Sequence, residues 1–586
     1  MKYVNKLLLL LFIVFSRSFA ISTDECISQL GYEQEFDQEQ YKGAFLMFAE
    51  ALEDLVGSAE YALEKIAKPV RDYIKSNQDR IINNPYKDTI AHVRHGCNLS
   101  DGEMAFRKKR FEHVKKAQQK LFEMDLDDED VLEIAFSCSG GGWRSMICSM
   151  GFCMGAHKLG LLDTAMYISS LSGSTWFVAP WISSEKDILS YRTLADKKIA
   201  EGLATPTIGN FLAFFAPVWT KFAFNHHINV IDIYGALLGN NLLADLNDKP
   251  SEVYLSEQQE IIADGKYPMP LYSAIYGGYN KKNYWFEFTP FECGSCELNY
   301  HIPSWSIGRK FKNGKSKRCE PEESFGFLLG AFGSAFSAKF TKIYKNAMKF
   351  FDLPDYLEDL PFAAVFLDAV KGCLQALIET DIGQLRFTSA KIHNFMYKLK
   401  DSPLKYQSHL KLIDAGLDFN NPVFLTYRNK VLKQAPDVIF IFDSSANSGK
   451  EQLQKLQKYA KKHDLKLPCM SYDNVDKKSL TIFQDENDLS VPMILYMPRV
   501  NDQELLSYYK NNNELMDYVE LLQDFDIEEA VHGGFAGTFS FNYSKQQVEK
   551  LLAMTDFNCI ANEQLIKQAL KKRVEKKREL KNKRYL

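Results

Sequence analysis

The chain has 586 residues, 46% of them hydrophobic and 25% charged, which is ordinary globular composition with ample apolar material for a large core. Its formal net charge of −4 excludes the strongly basic balance of a nucleic-acid binder. The length allows one very large domain or two to four ordinary ones.

At the N-terminus MKYVNK carries two lysines, LLLLLFIVF gives nine consecutive apolar residues, and SRSFA puts Ser18 and Ala20 at the small positions a signal peptidase prefers. This layout predicts a signal peptide over 1–20 and an exported protein, secreted, periplasmic or in an endomembrane lumen, and peripheral on membranes. Arg17 leaves an uncleaved anchor as the other reading. Nine apolar residues fall short of the ~20 that span a bilayer, and no later stretch reaches ~18.

Residues 21–130 read as a helical N-terminal segment. FLMFAEALEDLVGSAEYALEKI (45–66) repeats apolar residues at helical spacing. The basic RKKRFEHVKKAQQK (107–120) is followed by the acidic DLDDEDVLE (125–133), and such neighbouring runs usually form solvated faces that pair locally. Asn98-Leu-Ser100 and Asn542-Tyr-Ser544 fit the glycosylation sequon.

From 131 to about 560 the pattern changes to strands alternating with helices. LEIAFSC (132–138), AMYISSL (165–171), HLKLID (409–414), DVIFIFD (437–443) and VPMILYM (491–497) are short apolar strands. SMICSMGFCMGAHKLGLL (145–162) is a helix of small and apolar residues, suited to close packing on a sheet. The pattern predicts an α/β fold with a largely parallel sheet. The eleven cysteines are an odd number, so at least one lies outside any intrachain pairing. Cys138, Cys148 and Cys153 read as core residues. Cys293-Gly-Ser-Cys296, with Cys319 downstream, reads as a disulfide cluster or a metal knuckle. A second CxxC at zinc spacing is missing, so neither a metal nor a cofactor is expected. IKQALKKRVEKKRELKNKR (566–584), within a basic segment 561–586, is a helix that either contacts an anionic membrane or is a solvated tail.

Three stretches carry chemistry. Ser170-Leu171-Ser172-Gly173-Ser174 follows a strand and precedes apolar residues, the layout that lifts a serine clear of a sheet. Glycine is missing from both outer positions, so a structural turn remains the other reading. Ser139-Gly140-Gly141-Gly142-Trp143-Arg144 joins a strand to a helix. Its unobstructed amides at a helix N-terminus suit a phosphate or an oxyanion, or simply a tight turn. Asp414 ends a strand before Ala415-Gly416, either as a base or as a turn and cap. Neither His463 nor His532 has a setting that suits a partner for the serine. An alternative is that Asp414 itself acts as the base, which requires it to lie within hydrogen-bond reach of Ser172.

In order, SGGGWRSM (139–146), GLLD (160–163), SLSGSTW (170–176), NYWFEFTPFECG (283–294), FGSAF (332–336), LIDAGLDFNNP (412–422) and GTFSFNYS (537–544) resemble the catalytic domain of the cytosolic phospholipase A2 and phospholipase B (lysophospholipase) family. The resemblance implies a patatin-like α/β core with a cap region, and hydrolysis of fatty-acyl esters in glycerophospholipids or lysophospholipids. It implies Ser172 as nucleophile, Asp414 as base, the amides of Gly141 and Gly142 as oxyanion hole, and Arg144 as partner of the substrate phosphate. The family has glycine where Ser170 stands. No calcium-binding C2 domain is recognisable in the first 130 residues, so calcium-dependent docking is not expected. NFLAFFAPVWTKFAF (210–224) is a cap or a core helix. An acyltransferase or neutral-lipid esterase on the same dyad, and a secreted lipid-binding protein with a decayed site, are the rival readings.

Overall fold

A computed structural model describes residues 84–201, 230–246, 252–277, 283–317, 320–335, 389–428 and 435–584. The signal reading of 1–20, the 45–66 helix, the 210–224 stretch and Cys319 lie outside these residues. Fourteen strands are described: β1 (Arg94–His95), β2 (Ile134–Cys138), β3 (Ala165–Leu171), β4 (Met269–Tyr276), β5 (Tyr284–Phe288), β6 (Glu292–Ser295), β7 (Tyr300–Pro303), β8 (Phe311–Lys312), β9 (Lys315–Ser316), β10 (Ala390–His393), β11 (His409–Ile413), β12 (Val438–Asp443), β13 (Thr481–Phe483) and β14 (Met493–Pro498). Eight helices matter below: α1 (Asp101–Phe122), α2 (Trp143–Lys158), α3 (Thr175–Ser183), α4 (Val230–Leu242), α5 (Phe325–Phe332), α6 (Gly449–His463), α7 (Lys545–Ala561) and α8 (Glu563–Arg584).

One large sheet runs β1-β7-β6-β5-β4-β3-β2-β12-β14-β13. Its centre, β4-β3-β2-β12-β14, is parallel, and its flanks are antiparallel. β2, β3, β12 and β14 are buried at every position. That is why each reads as an unbroken apolar run rather than an alternation. This is the α/β core that the sequence predicts.

The edge of β4 brings two distant segments together. β3 pairs parallel with Met269–Ser273 and ends with Leu171 opposite Ser273. β11 runs the other way against the same strand and ends with Ile413 opposite Ile275. β5 occupies the other edge of β4. The residues that follow, Ser172 and Asp414, therefore converge on the level of Ala274.

Helix α2 is buried from Trp143 to Ala156. Its small residues serve a helix partner: a Cβ on Gly151 would fall 2.1 Å from Thr555 Oγ1, and one on Gly155 would fall 2.5 Å from Cys559 Cβ, both on α7. The sequence-predicted helix thus packs tightly on another helix as well as against the sheet. The two sequon serines act as N-caps: Ser100 Oγ accepts the Glu103 amide at 3.2 Å, and Ser544 Oγ that of Gln547 at 3.3 Å.

The basic C-terminal segment is not left as a solvated tail. In α8 Ile566, Leu570 and Val574 are buried. Arg578 pairs with Asp130 at 2.9 Å, Lys581 with Glu129 at 2.9 Å, Lys577 with Asp437 at 3.1 Å and Lys576 with Glu486 at 2.8 Å. The acidic run 125–133 therefore draws on α8 as well as on Lys115 of α1, which meets Asp128 at 2.6 Å. These four cations face carboxylates of the same chain.

Candidate active site

Ser172 follows the last residue of β3 and opens a single 3₁₀ turn that leads into α3. Its φ is +50°, in the left-handed region that a non-glycine residue rarely occupies. The turn is held by the Ser174 hydroxyl, which accepts the Leu171 amide at 3.0 Å and lies 2.8 Å from the Leu171 carbonyl. Gly173 is required by space. A Cβ there would sit 2.0 Å from the Gly142 carbonyl oxygen. Ser170 lies inside β3, paired with Cys138 and Tyr272, and its φ is not positive. A side chain there does not strain the turn, although among the described residues the Ser170 hydroxyl finds no partner.

Asp414 is fully buried, and the Ser172 side chain approaches its carboxylate. Its Oδ1 accepts the Gly416 amide at 2.8 Å and its Oδ2 the Ala335 amide at 3.4 Å. Its own amide donates to Ser334 Oγ at 2.9 Å. Burial lifts the Asp414 carboxyl from the ordinary carboxylate value to about 6, against the lowering effect of the Ser172 side chain and the Gly416 and Ala335 amides. The FGSAF stretch thus acquires a role that its residue types did not disclose. Ser334 and Ala335 follow α5 and brace the acid.

The glycine loop lies against the serine. A Cβ on Gly140 would fall 2.8 Å from Ser172 Cβ. Gly141 and Gly142 have φ of +148° and +67°. Asn420 fixes the loop from both sides: Gly140 donates to its Oδ1 at 3.2 Å, and its Nδ2 donates to the Gly140 carbonyl at 2.8 Å. Ser139 Oγ accepts the Ser444 amide at 2.6 Å and ties the loop to the end of β12. Among the described residues no acceptor takes the amides of Gly141 and Gly142. Gly142 is the N-cap of α2 and supplies no side chain. Two helix N-termini, those of α2 and α3, therefore meet at Ser172 and bring positive potential to it.

Arg144 is wholly buried. Its Nε donates to the Ser444 carbonyl at 2.8 Å and one terminal nitrogen to the Ala536 carbonyl at 2.7 Å. Both terminal nitrogens lie 3.4 Å from Thr538 Oγ1, at the long limit of a hydrogen bond. Burial, aided by the neighbouring Arg499, lowers its pKa to about 10. The resemblance implies an accessible phosphate clamp. In the geometry observed a phosphate has to displace one of these bonds.

Of the sequence-predicted residues, Ser172, Asp414, Gly141 and Gly142 come together, and Arg144 stands behind the loop. Sequence reasoning misses Asn420, Ser334 and Ala335, although each lies in a quoted motif. His532 is exposed beside Glu528, and His463 stacks on Tyr459 at the end of α6. Neither is at the site.

A strained serine at a strand-to-helix turn, a buried acid and a glycine-lined helix terminus stand together at the end of β3 in an α/β fold. The sequence profile described as "Lysophospholipase catalytic domain" matches residues 134–456, more than half of the chain, and the chain belongs to that phospholipase A2/lysophospholipase family. The mouse protein named cytosolic phospholipase A2 zeta is 26% identical over 560 residues, covering 83% of this chain and 63% of the relative. Human cytosolic phospholipase A2 epsilon is 25% identical over 562 residues, covering 85% and 62%. The chain thus spans about three-fifths of the length of these curated relatives. The solved structure of human GIVD cytosolic phospholipase A2 superposes with a TM-score of 0.68 at 21% identity, covering 82% of this chain and 68% of that one. It supports the patatin-like α/β fold.

These relatives are cytosolic by name, and that overturns the expectation of export behind a signal peptide at 1–20. The physical reason is that the pattern is not unique. An apolar run of about ten residues also serves as a buried core segment, and two lysines before it do not separate the readings.

Proposed function

We propose that the chain hydrolyses fatty-acyl esters of glycerophospholipids or lysophospholipids with a Ser172–Asp414 dyad. The observation that carries this is a serine held at φ +50° beside a buried carboxylate raised to about 6. Such an acid is ionised at neutral pH yet more basic than an ordinary carboxylate, which suits a general base. Membership of the family and the names of the relatives support the lipid substrate class.

In this reading Asp414 accepts the Ser172 proton as Oγ attacks the ester carbonyl. The amides of Gly141 and Gly142 stabilise the resulting oxyanion, where one such donor is worth roughly 10²–10³ in rate. The intermediate collapses, the C–O bond to the lysolipid or glycerophosphodiester breaks, and the proton on Asp414 goes to the leaving alkoxide. Water then gives a proton to Asp414 and attacks the acyl carbonyl, the bond to Ser172 Oγ breaks, and Asp414 returns the proton to Oγ as the fatty acid leaves. Arg144 meets the substrate phosphate by exchanging its long Thr538 contacts, while the Ser444 and Ala536 carbonyls keep it in place.

The test is fatty-acid release from mixed phospholipid and lysophospholipid vesicles without calcium, read by mass spectrometry. Release by the full chain and none by Ser172→Ala or Asp414→Asn supports the dyad. Equal release by Ser172→Ala refutes it.

A further inference from the structure

A second cluster of reactive side chains lies at the antiparallel edge of the sheet. Glu287 of β5 and His301 of β7 both register with Gly294 of β6, so the three form one row across the strands. Gly294 leaves the gap between them open. A Cβ there would fall 2.4 Å from the His301 ring. The ring crosses that gap, and its Nε2 comes 3.1 Å from Glu287 Oε1. Cys296, in the turn between β6 and β7, puts its Sγ 3.7 Å from His301 Nε2 and 3.6 Å from Glu287 Oε1. Glu287 and His301 are buried and Cys296 is half-buried.

These separations fit one metal ion. A tetrahedral zinc with bonds of about 2.3 Å to sulfur and about 2.0–2.1 Å to nitrogen and oxygen holds its ligand atoms about 3.3–3.6 Å apart. The three observed separations lie within a few tenths of an ångström of that. The surrounding bonds are those of a ligand set. His301 Nδ1 lies 3.0 Å from the Gly96 carbonyl, which fixes the ring so that Nε2 faces the cluster. Glu287 Oε2 is held by Arg428 at 2.6 Å, which leaves Oε1 to face Cys296 and His301. A small polar pocket lined by Cys97, Glu287 and His301 opens on the cluster and gives a fourth ligand, a water molecule, its way in.

We propose that the protein binds one zinc ion through Glu287, Cys296 and His301, as a structural clasp on the β5–β6–β7 edge. A thiolate with an imidazole and a carboxylate favours zinc over magnesium or calcium. On binding, the Cys296 thiol loses its proton to solvent as the sulfur–zinc bond forms. Sequence spacing sets a metal aside because a second CxxC is missing. The folded sheet supplies the other two ligands from neighbouring strands, and Cys293 stays in the core.

The full chain, stripped with a chelator, is titrated with zinc alone and separately with cobalt(II). The expected result is one equivalent bound, a rise in melting temperature, and a thiolate-to-cobalt charge-transfer band. Cys296→Ser removes that band and weakens zinc by at least about 100-fold, whereas substitution of the exposed Cys469 by Ser changes neither. Wild-type protein without a stoichiometric site, or a cobalt spectrum without the thiolate band, overturns the proposal and leaves the three residues a hydrogen-bonded network. If Cys296→Ser does not fold, the wild-type cobalt spectrum decides by itself.

Discussion

Ser172 and Asp414 follow two strands that run head-on along one edge of β4, and the two side chains approach each other where those strands stop. The carboxylate is buried and lifted to about 6. The ionised form is the base, so kcat/KM for ester hydrolysis is expected to fall below about pH 6 with a one-proton slope. A pH–rate profile on a single lysophospholipid checks this, and a flat profile from pH 5 to 8 contradicts it.

The raised carboxyl has a consequence for stability as well. A carboxyl raised in the folded state contributes fully to stability below its unfolded value of 3.8, and that contribution is lost as pH rises through about 6. At pH 8 the buried ionised Asp414 therefore costs up to about 3 kcal/mol, taking about 1.4 kcal/mol for each tenfold change in its acidity. Asp414→Asn is expected to abolish turnover while raising the melting temperature at pH 8. The gain should shrink toward pH 4 in a thermal-denaturation series.

Gly173→Ala tests the contact between the serine turn and the glycine loop. The added methyl meets the Gly142 carbonyl oxygen at 2.0 Å, so either the turn or the loop must move. Activity should fall by at least about 100-fold, the scale of losing one oxyanion donor. Circular dichroism that shows retained secondary structure separates this local effect from unfolding.

Asn420→Ala removes both clamps on Gly140. The residue touches no reacting atom in the proposed mechanism, so it acts by positioning the loop. The expected signature is a fall in kcat of about tenfold to a hundredfold with KM little changed. A change confined to KM would place Asn420 in substrate binding instead.

Removal of α8 after Asn562 exposes the surface that covers Ile566, Leu570 and Val574 and strands the partners of Lys577 and Arg578. Loss of thermal stability is expected, with vesicle binding of the remaining folded fraction unchanged. Vesicle binding lost without loss of stability would support membrane contact through this segment.

Much of the site is legible in the sequence because it is made of local signals. The apolar run 165–171 matches β3 at both ends, and the runs for β2, β11, β12 and β14 match to within two residues. β2, β3, β12 and β14 are apolar runs that burial on both faces leaves unbroken, whereas β11 alternates, with Leu410 and Leu412 buried and Lys411 exposed. The antiparallel flank β5–β7 does not read as strands, because charged and polar residues such as Glu287, buried though it is, interrupt its apolar positions. Asn420 and Ser334 escape because an amide or a hydroxyl in a loop gains meaning only from the backbone it meets.

The sequence alone therefore determined the strand–turn–helix at Ser172, the strand end at Asp414 and the glycine loop, since each depends on neighbours a few residues away. Tertiary structure decided what these pieces do together. The register of β3 and β11 on β4 joins serine to acid, burial sets the basicity of that acid, and carbonyls distant in the chain hold Arg144. It also seated the basic C-terminal helix on the acidic run, because charge and apolar contact act between surfaces that only folding brings within a few ångströms.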